Sequence, residues 1–573
     1  MQPIGWFSKW RKMPKTDEEL TRGALAPKFA GLFAFAIGVI DLSRFFAPEL
    51  HTRLTGHLGS VPGTVRNATV LTTIFTGTLL ILLADGLARR KFRAWLATEV
   101  LLLVSILLRL ALITHSDLAL WALSSPTALF IFLLIFRKNF YAKPAPGSRL
   151  ETLKTFATTS AVALIGASCI VYIRLRELTE LHVTLSAHSV LVYSLPGFVG
   201  VSTDISDQNN FGGDFAYYGL FALGLAVIIP TLYAMLRSHK PLPQAQPDQD
   251  AELRELLDSW GEQDSLGYFA LRSDKLLSWS PTRKACISYR VVGGVAIASG
   301  DPIGDVEAWP GAIEAFVTEC KEHGWIPAAG ATSESGAEVW VRETQMHALE
   351  IGDEAIVEVA TFTLEGRAMR NVRQMVNRVR RQGYTTDVSK LSELTSQEVT
   401  ELATKSIDWR VGKTERGYSM ALSRIDANRD PNVVAIRAFR DGKLTAFLTF
   451  VPWGETGLSL DFMRRSPESD PGITELLICD LIESCPVLNI KQVSLNFAAF
   501  RDALERGDRI GAGPVSKFNR EFLRFVSRWI QIDSLYRFNV KFRPIWEPRY
   551  LVYNGSKEFL RAGLAYVKAE GFL

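Results

Sequence analysis

Six apolar runs fill the first 237 residues of this 573-residue chain, and none long enough to cross a bilayer follows Arg237. Crossing about 30 Å of hydrocarbon takes roughly 20 helical residues. The runs lie near Lys28–Phe46, Ala68–Gly86, Trp95–Thr114, Leu118–Phe136, Phe156–Ile173 and Ala216–Leu236. The sequence therefore predicts a six-span α-helical transmembrane bundle over residues 1–237, followed by a water-soluble remainder.

Basic residues orient the bundle. Lys9, Arg11, Lys12, Lys15 and Arg22 precede the first run, and Arg89, Arg90, Lys91 and Arg93 fill the second-to-third connection. Arg137, Lys138, Lys143, Arg149 and Lys154 fill the fourth-to-fifth, and Arg237 and Lys240 follow the sixth. The alternate connections are poor in Lys and Arg, so an even span count with both termini in the cytoplasm satisfies every loop. The net charge of +4 is too small to carry meaning as a total. The basic N-terminus lacks a small-residue cleavage site, which argues against a removable signal peptide. Charge inside a membrane is costly and marks a functional candidate by default. Asp41 and Arg44 sit three apart on one helical face, and Arg109 interrupts an apolar run. The plainer reading pairs Asp41 with Arg44 near the outer interface and lets Arg109 snorkel. The long outer loop Arg174–Phe215 mixes apolar and polar stretches and is able to pack on the bundle.

A Pro-rich polar linker, residues 238–250, ends the bundle. Beyond it, short strands are expected at Gly267–Leu271, Ala285–Val291 and Gly294–Ser299, with Val292-Gly293-Gly294 turning the second into the third. A helix (Trp309–His323), strands at Ile326–Ala329 and Ala355–Phe362, and a basic helix (Gly366–Gln382) follow. The pattern then returns: a helix near Thr395–Ser406, strands Val433–Phe439, Lys443–Pro452 and Gly457–Met463, helix Ile473–Ser484 and strand Gln492–Asn496. A meander, then a helix, then a strand thus occurs twice. This predicts two α/β lobes, 251–390 and 391–573, and resembles a tandem acetyltransferase-like (GNAT) fold.

Five scattered cysteines without CxxC spacing indicate neither a disulfide framework nor a structural zinc. His323 and His347 are isolated, and no metal cluster is expected. No Ser-His-Asp or Cys-His arrangement, Walker A, HExxH or Rossmann fingerprint occurs. The acetyl-CoA pyrophosphate loop has one near match, Asp508-Arg-Ile-Gly-Ala-Gly513, with Asp where a basic group belongs.

Several blocks carry a more specific resemblance. Ser299-Gly-Asp-Pro-Ile-Gly304, Gly352-Asp-Glu-Ala355 with Phe362-Thr-Leu-Glu-Gly366, Asp461-Phe-Met-Arg464, Val493-Ser-Leu-Asn-Phe-Ala498 and Phe542-Arg-Pro-Ile-Trp-Glu-Pro-Arg-Tyr550 occur in order. Together they resemble the aminoacyl-phosphatidylglycerol synthase family, that of the bacterial multiple peptide resistance factor. Arg509-Ile-Gly-Ala-Gly-Pro514 and Arg528-Trp-Ile-Gln-Ile-Asp-Ser-Leu-Tyr-Arg537 are similar to the lipid-modifying half of actinobacterial fusions with lysyl-tRNA synthetase. The resemblance implies a bacterial plasma-membrane enzyme. Its expected reaction moves an amino acid, lysine before alanine, from aminoacyl-tRNA to a glycerol hydroxyl of phosphatidylglycerol at the inner leaflet. The expected result is lower membrane negative charge and resistance to cationic peptides. No cofactor beyond the aminoacyl-tRNA co-substrate is expected, and a separate synthetase is expected to supply the donor. Lipid flipping is not implied, because the bundle has fewer spans than the long resistance factors.

The reaction needs alignment, proton removal, oxyanion stabilisation and exclusion of water. By resemblance, Asp461 and Arg464 form the catalytic pair: Arg464 suits a phosphodiester, and Asp461 orients or deprotonates the hydroxyl. Strand alternation puts the two on opposite faces, so joint action requires the strand to end between them. The bland alternative is a surface ion pair. Glu475, with Thr474 as a possible cap, either complements a helix dipole or binds the donor's ammonium. Asp353 is a second acidic candidate for lysine. Asn496, Arg501, Lys541, Arg543 and Arg549 are expected to line or support the substrate site.

Arg367, Arg370 and Arg373 start a basic helical face that suits tRNA or lipid phosphate, or simply solvent. A second stripe, Lys517, Arg520, Arg524 and Arg528 beside Phe522, Phe525 and Trp529, reads as an interfacial helix or a core helix with an exposed rim. Two rival functions remain at this stage: a lipid flippase or transporter with a regulatory cytosolic domain, and a CoA-dependent acyltransferase.

Overall fold

A computed structural model describes residues 25–46, 63–113, 119–143, 148–177, 187–199, 211–237, 241, 247–410, 415–499 and 532–572. Arg501, the Arg509–Pro514 block and the Lys517–Arg528 stripe lie outside the described residues. The chain divides into two compact units, essentially before and after His239.

In the first unit, helices Ala26–Phe46, Gly63–Ala88, Phe92–Ile113, Ala119–Ile135, Ser148–Glu177 and Phe211–Leu236 stand where the six apolar runs were expected. A further helix, Ala187–Phe198, forms within the outer loop. Among the described residues, three helices (Ala26–Ser43, Leu150–Arg176 and Gly213–Leu236) are long and apolar enough to cross a membrane; Thr73–Ala88 and Leu123–Ile135 are shorter apolar stretches.

Small residues let the first two helices meet closely. A Cβ on Gly38 would lie 2.6 Å from the Gly77 carbonyl oxygen, and one on Gly31 would lie 2.7 Å from that of Ala84. Without a hydrophobic driving force in lipid, such backbone approach is what holds helices together. Trp95 donates its indole N–H to the Leu133 carbonyl at 3.1 Å, fixing a third helix to a fourth. Asp41 is buried; the side chains of Arg44 and Arg109 are outside the described residues.

The second unit is a twelve-stranded mixed sheet. Its strands are β1 (Leu276–Trp279), β2 (Ala285–Val292), β3 (Val295–Ser299), β4 (Ile303–Gly304), β5 (Ile326–Thr332), β6 (His347–Glu358), β7 (Tyr384–Lys390), β8 (Val434–Arg440), β9 (Lys443–Trp453), β10 (Gly457–Arg465), β11 (Gln492–Ala499) and β12 (Ile545–Tyr553). The order is β1-β2-β3-β5-β12-β6-β11-β10-β9-β8-β7, with β4 beside β2. Among the described residues, only β3 with β5 and β10 with β11 run parallel in this sheet. Each parallel pair closes one half of the sheet. The two halves exchange strands: β12 inserts between β5 and β6, and β6 lies between β12 and β11.

Two apolar cores cover the faces of the second half. Leu458, Leu460, Val493 and Leu495 pack in one core with helix Ile473–Ser484 and Val372, Val376 and Val379 of helix Arg370–Arg381. Phe447, Val451 and Phe462 pack in the other with Leu402, Tyr418 and Leu422.

Several expectations need correction. Gly267–Leu271 is a 3₁₀ helix rather than a strand, because a short apolar run is compatible with any buried element. The strand expected at Ala355–Phe362 is His347–Glu358, and a 3₁₀ turn (Val359–Thr361) replaces its end. A helix starts at Pro247, inside the expected linker, as proline at a first helical turn allows. β7 pairs with β8, and the helix Arg370–Arg381 packs on Ile473–Ser484, so both side with the second half rather than the first. The Gly293-Gly294 turn forms as read, both residues at positive φ.

Candidate active site

β10 and β11 pair through Gly457↔Gln492, Leu458↔Val493 and Ser459↔Ser494, and then part. The register of β10 against β9 shifts between Leu460 and Met463, and that of β11 against β6 shifts between Ser494 and Phe497. Bulges of this kind re-aim side chains next to functional sites. Here they open a gap in the middle of a rigid sheet. Asn496, at φ +65°, spans it: its amide nitrogen donates to the Leu460 carbonyl at 2.5 Å. Its amide oxygen is buried with no hydrogen-bond partner among the described residues.

Asp461 follows at the lip of the gap. It accepts the Leu422 N–H at 2.8 Å and the Thr449 hydroxyl at 3.3 Å. Thr449 in turn accepts the Phe462 N–H at 3.1 Å, so the carboxyl is held by β9 on one side and by the backbone at Leu422 on the other. Burial pushes Asp461 up to about 7 against the pull of the Leu422 and Thr449 bonds, and Glu415 adds to the rise. A carboxyl so poised can take and return a proton at neutral pH.

Arg464 is engaged elsewhere. One terminal nitrogen meets both Glu415 oxygens at 2.7 and 2.8 Å, and Nε donates to the Ser406 carbonyl at 2.8 Å. β10 does not end between Asp461 and Arg464 as joint action required; it continues to Arg465 through the bulge.

A polar line runs from this gap across the sheet. Ser494 accepts the Asn496 N–H at 3.1 Å and donates to Glu354. Glu354 is fully buried and receives Arg549 through Nε at 2.9 Å and through a second nitrogen. Arg549 also donates to Asp264 at 2.8 Å and to Ser265 at 2.9 Å. Burial alone would lower the Arg549 pKa, but the carboxylates of Glu354, Asp264 and Asp301 hold it above its usual value. Asp301, on the loop after β3, is pushed up to about 7 by burial and by Asp264. The loops beyond the first half's own parallel pair are thus plugged by the molecule's own ion pairs, whereas the second half's gap ends on an amide oxygen without a partner among the described residues.

The other face holds a different group. Glu475, buried in the first turn of helix Ile473–Ser484, lies 2.7 Å from the Lys541 ammonium. Gly472 at φ +101° occupies the cap position expected of Thr474. A Cβ there would press on Met375 at 2.4 Å. Arg543, at φ +52°, is exposed after the turn Val540–Phe542. The sheet therefore brings Asp461, Asn496 and Arg549 onto one face and Glu475 and Lys541 onto the other, with the gap between β10 and β11 as the break between them. Helix Arg370–Arg381 starts later than the expected Gly366. Arg373 turns back to the Leu364 and Gly366 carbonyls, while Arg367 and Arg370 are exposed.

Sequence reasoning missed Thr449, Ser494, Glu354, Glu415 and Asp264. Glu354 had a faint signal: a charged residue inside an apolar strand, one place from Asp353, which was named instead. The others are visible only once the strands are paired.

Residues 254–553 match the family model described as phosphatidylglycerol lysyltransferase, C-terminal, and residues 22–200 match that of the transmembrane region of lysyl-tRNA synthetase. The lysylphosphatidylglycerol biosynthesis bifunctional protein LysX of Rhodococcus opacus (strain B4) is 39% identical over 506 residues, which cover 86% of this chain and 44% of that protein. Its counterpart in Mycobacterium avium (strain 104) is 38% identical over 516 residues, 88% of this chain and 43% of that protein. The chain therefore spans less than half the length of these curated relatives. A solved structure, described as that of L-PGS from Bacillus licheniformis, is 22% identical, covers 58% of this chain and 98% of that one, and gives a TM-score of 0.48. Since the matched residues 254–553 make up more than half of the chain and carry the sheet, the gap and Asp461, the chain belongs to the phosphatidylglycerol lysyltransferase C-terminal family.

Proposed function

We propose that this protein transfers an amino acid, lysine in preference to alanine, from aminoacyl-tRNA to the glycerol hydroxyl of phosphatidylglycerol at the inner leaflet. A separate synthetase supplies the charged tRNA. The bundle is a multi-pass anchor in a bacterial plasma membrane with both termini cytoplasmic, and the product lowers surface negative charge and the pull on cationic peptides.

The observation that carries this reading is the Asp461 carboxyl, pushed up to about 7 at the lip of a gap in the sheet. Asp461 takes the proton of the glycerol hydroxyl as that oxygen bonds to the aminoacyl carbonyl carbon. The ester bond to the tRNA ribose then breaks, and the proton passes to the departing ribose oxygen. Donor and product are both esters, so the reaction is near balance and its acceleration comes from alignment, worth roughly 7–11 kcal/mol, and from proton transfer. The buried amide oxygen of Asn496 offers an acceptor for a substrate hydroxyl or ammonium. Exposed Arg367 and Arg370 suit the RNA backbone.

The test is transfer itself. Purified protein in phosphatidylglycerol vesicles, given each charged tRNA in turn, should yield a ninhydrin-positive lipid with lysyl-tRNA, and ribonuclease should abolish it. No aminoacylated lipid with any donor would overturn the reading.

A further inference from the structure

A groove of about 760 Å³ opens in the first unit between helices Gly63–Ala88, Phe92–Ile113, Ser148–Glu177 and Phe211–Leu236. Its walls are aliphatic and aromatic, with Leu83, Leu96, Val100, Phe156 and Leu232 among them. Its charge lies at one end, where Arg93 and Thr152 line it; the other polar lining residue, Thr231, spends its hydroxyl on the Val227 carbonyl at 2.7 Å. Arg93 donates to the Met235 carbonyl at 3.2 Å, which ties the guanidinium to the end of a helix. Exposed Lys154 and Arg237 lie on the neighbouring turns; Glu151, 3.6 Å from Arg237, offsets one of these charges.

Two quantities identify an occupant. On the helix Phe92–Ile113 the lining runs from Arg93 to Val104, about 16 Å at 1.5 Å per residue. That is about half of a 30 Å hydrocarbon core, the depth of one leaflet. The charge at the shallow end is positive, and the remainder is apolar apart from Thr231, whose hydroxyl is bonded within its own helix. An acyl chain of one leaflet fits the length, and a phosphodiester fits the end.

We propose that this groove binds one anionic glycerophospholipid of the leaflet at the basic end of the bundle, with an acyl chain along the Leu96–Val104 face and the phosphodiester against Arg93. The bundle is then a lipid-binding element as well as an anchor. The inference rests on the proposed function only in naming phosphatidylglycerol as the lipid.

The whole chain in nanodiscs is exposed to trace phosphatidylglycerol carrying a photoreactive acyl chain, and in parallel to phosphatidylcholine with the same chain; labelled peptides are mapped by mass spectrometry. Peptides from residues 92–113 and 148–177 should be labelled about fivefold more by the anionic probe, the worth of one basic contact. Arg93→Gln should remove the preference and Arg93→Lys should keep most of it. Val100→Trp, checked for an unchanged melting temperature, should reduce labelling by both probes. Equal labelling by the two lipids, or a preference that survives Arg93→Gln, would overturn the proposal. Transfer is assayed on the same preparation: transfer without selective labelling removes the groove and spares the enzyme reading, and selective labelling without transfer does the reverse.

Discussion

Lys541 and Glu475 form a 2.7 Å ion pair on the face of the sheet opposite Asp461. Glu475 is buried and Lys541 is partly exposed. A donor ammonium that reaches Glu475 must therefore share it with Lys541. Glu475→Gln is expected to lower kcat/KM for lysyl-tRNA more than for alanyl-tRNA. Equal losses for both donors would confine the pair to holding the turn Val540–Phe542. A double-mutant cycle on the two residues should give a coupling of about 0.5–3 kcal/mol in urea unfolding.

Asp461→Asn should lower turnover by about 10²–10⁴-fold, the usual worth of a positioned general base. In the unchanged protein, turnover should rise through about pH 7 as Asp461 ionises, and that limb should vanish in the variant. Stability gives an independent check. The folded carboxyl titrates above its ordinary value, so between the ordinary carboxylate range and about pH 7 the folded state holds a proton the unfolded state has lost. Stability should fall as pH rises through that window and level off above it. Asp461→Asn should flatten this slope in urea melts; a slope that persists would assign it to another group, such as Asp301.

Glu354→Gln should cost about 3–5 kcal/mol, because it removes a charge partner from fully buried Arg549. Chemical denaturation is the measurement. Glu415→Gln, which frees the largely buried Arg464, should cost less and keep an Asp461 pH limb, moved toward lower pH because Glu415 adds to the rise of that carboxyl.

Arg367→Ala with Arg370→Ala should weaken tRNA binding and reduce the slope of log affinity against log salt by about 1 to 2. Arg380, already paired with Asp480 at 2.5 Å, should contribute little to that slope when replaced. A binding titration at several salt concentrations distinguishes the two.

Gly38→Leu should separate the first two helices of the bundle, since its Cβ alone would lie 2.6 Å from the Gly77 carbonyl oxygen. The expected loss is about 1–3 kcal/mol, read from thermal unfolding in detergent.

How much of this was legible beforehand follows from the range of each cause. Local causes were readable. The apolar runs placed the bundle helices, the boundaries of Trp309–His323 and Ile473–Ser484 agree with the reading, and the helix expected near Thr395–Ser406 forms as Ser396–Asp408, where Thr395 turns out to be the cap. The Gly293-Gly294 turn is set by two residues. Non-local causes were not readable. Asp461 was named from its block, but its raised pKa comes from burial, which exists only when β9, β10 and the Tyr418–Leu422 segment pack together around it. Arg549 was expected near the substrate; its partners Asp264 and Glu354 are far away in sequence, and its place depends on β12 entering the other half of the sheet.

That insertion bears on how the polypeptide is made. While the ribosome is still translating the second half, β5 has an unfilled edge and β6 lacks both neighbours, because β11 and β12 emerge last. Such edges invite wrong partners. Nascent chains stalled before β12 should therefore be sensitive to protease and held by chaperones, and should become resistant only once the last strand has cleared the exit tunnel.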